Sequence, residues 1–146
     1  MRRVDTGEVA ATIRCNDAYV FHGWVTREGR DYLLCPEDFQ GQSVVDLADG
    51  RVEGFSTGED DFIWTEFHPS RDASLLAILG CYWACPYEVV VYDFRTPMIL
   101  PLPVVARFEL PGNDARFRSW IAADAFEIED AGGNVHLFDG LFTAPP

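Results

Sequence analysis

The chain has 146 residues, a net charge of −13 and a pI near 4.4, and all 11 of its basic residues are arginine. That length makes one domain, 1–146, which can bury roughly 68–70% of its unfolded surface and needs neither metal nor disulfide to fold. Apolar residues at 48% and aromatics at 14% exclude a disordered chain, and the acidity excludes DNA, RNA or an anionic membrane as a non-specific partner.

Met1 to Glu8 holds no apolar run after its two arginines, which predicts no export signal and a cytoplasmic protein. Hydrophobic periodicity then reads as strand along most of the chain. Val9 to Ile13 alternates loosely, and Ala18 to Val25 is rich in aromatic and β-branched residues. Tyr32 to Cys35 and Ser43 to Leu47 are short apolar runs. Asp49-Gly50 is a hairpin signal, with Val52 to Phe55 as the returning strand. Phe62 to Phe67 alternates, Leu75 to Leu79 reads as a fully buried strand, and Glu88 to Phe94 is the clearest strand. Ala125 to Asp130 and Val135 to Phe138, joined through Gly132-Gly133-Asn134, read as a hairpin. Helix evidence is confined to one turn at Ser70 to Ala77 and a segment at Asp114 to Ala123. The stretch Leu75 to Ala84 is interrupted by Gly80 and is too short to span a membrane.

Self-comparison reveals an internal repeat. Arg30 to Gly50, Ala73 to Pro97 and Phe126 to Gly140 each hold an apolar strand, a loop and a strand ending in Asp. The strand-ending Asp46, Asp93 and Asp139 are 47 and 46 residues apart, and Trp24, Trp64 and Trp120 stand on strands that precede the three units. Strands at such a period predict an all-β, antiparallel, propeller-like fold or partial propeller with blade-like units at about 18–56, 60–106 and 115–142.

The segment Trp64 to Phe94 resembles a WD40-type β-propeller blade. It carries Phe67-His68-Pro69-Ser70-Arg71-Asp72, then Leu75-Leu76-Ala77, then Val91-Tyr92-Asp93. The resemblance implies a tight turn at Ser70-Arg71-Asp72-Ala73, where the family's usual Pro and Gly are missing, as is its Gly-His pair. The chain is also similar to small proteins with Gly-Cys-x-Trp-Ala-Cys-Pro-Tyr-Glu and Tyr-Gln-Gly-Gln segments, matched here by Gly80 to Glu88 and Phe39 to Gln42. That second likeness implies no activity. Three blades fall short of a closed ring of four or more. An open meander, an incomplete propeller or half of a homodimer is expected.

No phosphate loop, dinucleotide fingerprint, nucleophile elbow or zinc-protease motif is present. Cys81 and Cys85, with Cys35 and with His22, Cys15 or His68, would make a four-ligand set whose spacing zinc tolerates; buried thiols are the plainer reading and a disulfide a third. Two carboxylate groups stand out. Glu59, Asp60 and Asp61 precede the Trp64 strand, and Glu127 and Glu129 share one strand face. They are either solvated surface or an acidic patch for a basic partner. Tyr82, Trp83 and Tyr87 crowd one connection between buried strands, as core caps or as a binding surface. Pro97 to Pro103 is placed on an edge or in a crossing between blades, where exposure would make it a contact patch. These readings converge on a non-catalytic protein-binding module. Its most concrete form is a small acidic immunity-type protein for a basic protein partner, without nucleic acid, membrane or cofactor. A metal- or thiol-dependent enzyme centred on Cys35, Cys81 and Cys85, and a module dimerising through sheet edges, are the alternatives.

Overall fold

The computed structural model describes residues 6–9, 11–12, 21–37, 40–56, 62–82 and 86–140. All of its regular structure there is β. Strands β1 (Gly23–Arg27), β2 (Arg30–Cys35), β3 (Gln42–Asp46) and β4 (Val52–Phe55) form the first sheet. Strands β5 (Ile63–Pro69), β6 (Leu75–Cys81), β7 (Tyr87–Asp93) and β8 (Val104–Glu109) form the second. Strands β9 (Arg116–Ala122), β10 (Ala125–Glu129) and β11 (Val135–Phe138) form the third. Every pairing is antiparallel, and the strand order within each sheet follows the chain. These are blade-like units in a partial propeller-like arrangement, as the repeat predicts.

The first strands of successive sheets adjoin. Gly23 in β1 lies so close to Phe67 in β5 that an added Cβ would come within 2.5 Å of the ring. Arg27 Nη1 donates to the Asp72 carbonyl just beyond β5 at 3.4 Å. On the other side Trp120 Nε1 in β9 donates to the His68 carbonyl in β5 at 2.9 Å. The second sheet is therefore flanked by both others, and its side chains divide accordingly. Leu76, Ile78, Val90 and Tyr92 pack with Val25, Tyr32, Leu34 and Val44 of the first sheet. Leu75, Ala77, Leu79, Val89 and Val91 pack with Phe126 and Ile128 of the third. A strand buried on both faces needs a continuous apolar run, which is why Leu75 to Leu79 lacks alternation.

Turn chemistry follows from the aspartates. Asp46, Asp49, Asp72, Asp93 and Asp130 each accept, on Oδ1, the backbone N–H two residues on, at 2.8–3.0 Å. The expected Asp49-Gly50 turn is present, with Gly50 at φ 75°. In the turn from Ser70 to Ala73, Ala73 holds φ 53° where glycine would be unstrained. The Leu75 amide donates to Ser70 Oγ there, at 3.0 Å.

Three expectations need correction. Asp114 to Ala123 is strand β9, not a helix. Arg118 is an extra residue between Phe117 and Ser119 in the β9–β10 register, so Phe117 and Trp120 share a face despite their helical spacing. Ser70 to Ala77 is a turn followed by β6. Pro97 to Pro103 lies in the β7–β8 connection within the second sheet, not between blades, and is partly folded in: Leu102 is buried, Met98 and Leu100 pack on the first seam, and the Leu102 amide donates to Gln42 Oε1 at 2.7 Å. Ile99, Pro101 and Pro103 are its exposed residues. Strand β8, which has only weak alternation as an edge, is an addition to the strands read from the sequence.

Two seams on one sheet should unfold together. Ile78→Ala in the first seam and Phe126→Ala in the second should each cost about 2–5 kcal/mol. Urea unfolding followed by tryptophan fluorescence and by far-UV circular dichroism should give coincident single transitions in both variants. Separated transitions would mean that the sheets are independent.

Candidate functional site

Strand directions give the domain two ends. The β2–β3, β6–β7, β8–β9 and β10–β11 connections lie at one end, here called the loop end. The β1–β2, β5–β6, β7–β8 and β9–β10 connections lie at the other. Arginines neutralise much of that second end. Arg30 Nε donates to the buried Asp46 carboxylate at 3.0 Å, and Arg95 Nε donates to Asp93 at 2.9 Å. Burial opposes ionisation of Asp46, but the Ala48 amide and Arg30 outweigh it and hold the group below its ordinary value. Arg95 does the same for Asp93, against the effect of burial.

The loop end is different. Glu88 and Glu109 stand directly opposite each other on β7 and β8. Among the described residues no salt bridge reaches either. Arg107, diagonal to Glu88, extends to Tyr82: its Nη1 donates to the Tyr82 hydroxyl, and its guanidinium carbon lies 6.0 Å from the ring centre. Tyr82 also packs on Phe62, ring centres 5.3 Å apart, so it belongs partly to the first seam.

On the opposite face of the second sheet, at the same end, a cavity of about 280 Å³ opens between the second and third sheets. It is lined by Phe21, Thr65, Glu66, Leu79, Tyr87, Asn113 and Ala115. Thr65 is the extra residue of a bulge between Trp64 and Glu66, and its hydroxyl donates to the Leu79 carbonyl at 2.9 Å. Cys81, opposite Tyr87 in register, raises the Tyr87 phenol above its usual value; burial and Glu66 add to this. His68 Nε2 meets Glu66 Oε2 at 3.1 Å, and its ring stacks on Phe117 with centres 4.1 Å apart. Burial lowers the His68 pKa below its ordinary 6.5 even though Glu66 opposes this. Burial thus favours the neutral form of the His68 ring.

The residues picked from sequence are dispersed. Tyr82 and Tyr87 flank the loop end, on opposite faces of the second sheet. Trp83, Cys85, Glu59, Asp60 and Asp61 lie outside the described residues. Glu127 and Glu129 sit on the outward face of the third sheet, opposite Leu137 and Val135 on β11, with Arg118 Nε 3.5 Å from Glu129. Cys35 ends β2 and is buried, Cys81 ends β6 and is half-buried, and His22 precedes β1. Among the described residues no group of three His, Cys, Asp or Glu side chains is placed to hold a metal ion. Among them, too, no helix is long and apolar enough to cross a membrane. Glu66, Glu88, Glu109 and Asn113 escaped sequence reading. The i, i+2 pair Glu66/His68 was a readable signal; Glu88 and Glu109 become neighbours only through the β7–β8 register.

His68 supplies a pH test. Its folded pKa is lowered, so the unfolded chain binds the proton more readily. Its contribution to stability is therefore present above pH 6.5 and is lost as pH falls towards the folded value. His68→Gln should reduce the loss of urea midpoint between about pH 7 and pH 5, and the native His68 ring proton should titrate below 6.5 by NMR. Comparison with protein-family models, with curated proteins and with solved structures found no match to this chain.

Proposed function

We propose that this protein is a non-catalytic protein-binding module that takes a basic protein partner at its loop end, as an immunity-type protein would. The observation that carries this reading is the Glu88–Glu109 pair. Like charges directly opposite on neighbouring strands cost stability, about 0.2–1 kcal/mol. At the other end Asp46, Asp49, Asp72 and Asp93 are matched by arginine or by turn amides; here the nearest arginine is drawn to Tyr82. An unmatched acidic pair beside exposed loops suits a cationic surface, and a −13 protein steers such a partner in a salt-dependent way.

A peptide of alternating Arg and Leu serves as probe. Glu88→Gln with Glu109→Gln should raise the urea midpoint and weaken peptide binding about tenfold at low salt. Glu127→Gln with Glu129→Gln removes the same charge elsewhere and should weaken binding only about twofold. Equal losses in the two double variants would reduce the effect to net charge and overturn the proposal.

A second reading has its own observation. On edge strand β11, Leu137 and Val135 are 57% and 43% exposed beside Glu127 and Glu129, on the sheet that has three described strands where the others have four. An apolar edge of this kind favours pairing with a second copy. Sedimentation velocity at about 100 μM should then show dimer that Leu137→Lys abolishes; monomer at that concentration would remove this reading.

A further inference from the structure

The cavity between the second and third sheets has a definite chemistry. At about 280 Å³ it lies below the usual range for drug-sized ligands and matches one long side chain. Its walls offer the face of Phe21, 40% exposed, together with the ring of Tyr87, the Glu66 carboxylate and the Asn113 amide. Among the described residues no arginine lines it. Glu66 has one partner here, His68, whose burial disfavours the charged form of the ring. An aromatic wall with a carboxylate favours a flat cation. A guanidinium stacks on rings and bonds a carboxylate through two parallel N–H groups, which an ammonium cannot do. The bulge at Thr65 is what places Thr65 and Glu66 on this wall.

We infer that this cavity is a receptor for one arginine side chain of the basic partner, with the guanidinium on Glu66 and its plane against Phe21 or Tyr87. The inference rests on the basic-partner reading and gives it a named residue class and a seat. The Glu88–Glu109 pair lies on the opposite face of the second sheet, so the two sites separate in experiment.

The test is an NMR titration of the ¹⁵N-labelled chain with N-acetyl-arginine amide. N-acetyl-citrulline amide is the neutral isostere, and free arginine represents a small-molecule ligand. The arginine amide should shift the amide signals of Thr65, Glu66, Tyr87 and Asn113 with a dissociation constant on the order of 1 mM. Citrulline amide should shift none of them. Glu66→Gln should weaken binding about tenfold with an otherwise unchanged spectrum, and Glu127→Gln should leave it as it was. Equal shifts from citrulline amide, or an unchanged affinity in Glu66→Gln, would overturn the assignment. Tighter binding of free arginine than of the blocked amide would overturn the partner side chain as the occupant. If the amide binds as stated while Glu88→Gln with Glu109→Gln leaves peptide binding intact, the cavity stands and the acidic-pair reading falls. Peptide binding that depends on Glu88 and Glu109, with no response to the amide, gives the converse.

Discussion

The second sheet is buried on both faces, and the arrangement of the other two follows from that. β6 and β7 send alternate side chains into two separate cores, Ile78 and Val90 to one and Leu79 and Val89 to the other. A sheet apolar on both sides cannot face water on either, so the flanking sheets cover it. Each flanking sheet spends one face in doing so and keeps one outward. On the first sheet, Leu33 and Val45 are covered by the segment bearing Ala11, while Trp24 remains 58% exposed. On the third, Glu127 and Glu129 share the outward face with Val135 and Leu137. The ends of an open array are thus where its surface chemistry differs most from that of an ordinary sheet.

Charge is partitioned by the same geometry. The aspartates that close the turns have their carboxylates committed to backbone N–H groups, and several also hold an arginine. Asp130 is the extreme case. The His136 ring, the Asn134 side chain and amide and the Gly132 amide hold it far below the usual carboxylate range. Such groups are acidic by count but are satisfied locally, so the net charge overstates what a partner meets. What remains for a partner are strand carboxylates that no arginine salt bridge reaches among the described residues. Glu66, Glu88 and Glu109 are of this kind.

Strands with one dominant pattern were legible. Leu75 to Leu79 and Glu88 to Phe94 were read from continuous apolar runs, and the Asp49-Gly50 hairpin from its turn residues. β9 was read two ways, as the strand of Trp120 and as a helical segment, because its bulges replace the two-residue period with a three-residue one that imitates a helix. The shared tryptophans marked the strands without sharing a role: Trp64 is a buried core residue, Trp24 faces water, and Trp120 bonds the neighbouring sheet. The Pro97 to Pro103 segment was expected on an edge or between blades, yet it joins two strands of the second sheet, and proline content gives no sign that Leu102 would be buried. Of the candidate site, Tyr82 and Tyr87 were visible as aromatics near a loop. Their separation onto two faces is a matter of strand parity on either side of that loop. Glu109 belongs to a strand too weakly patterned to be seen, so its pairing with Glu88 had no sequence trace.

One local device links core and site. In β5, Trp64 and Phe67 lie three residues apart with ring centres 5.7 Å apart, and in β9, Phe117 and Trp120 repeat this at 6.2 Å. An extra residue in the register makes both pairs possible, Thr65 in one case and Arg118 in the other. A regular strand would put residues three apart on opposite faces. The bulge keeps both aromatics in the seam, and it must then turn the residues between them another way. In β9 those residues are Arg118 and Ser119 on the outward face; in β5 they include Glu66, on the cavity wall. Gly80 permits the close approach, since a Cβ there would come within 2.1 Å of the Ile63 carbonyl and would strike Phe62. Removing the bulge to gain ladder hydrogen bonds would send Trp64 or Phe67 out of the first seam. The backbone that carries the cavity carboxylate is therefore held in place by the packing of that seam.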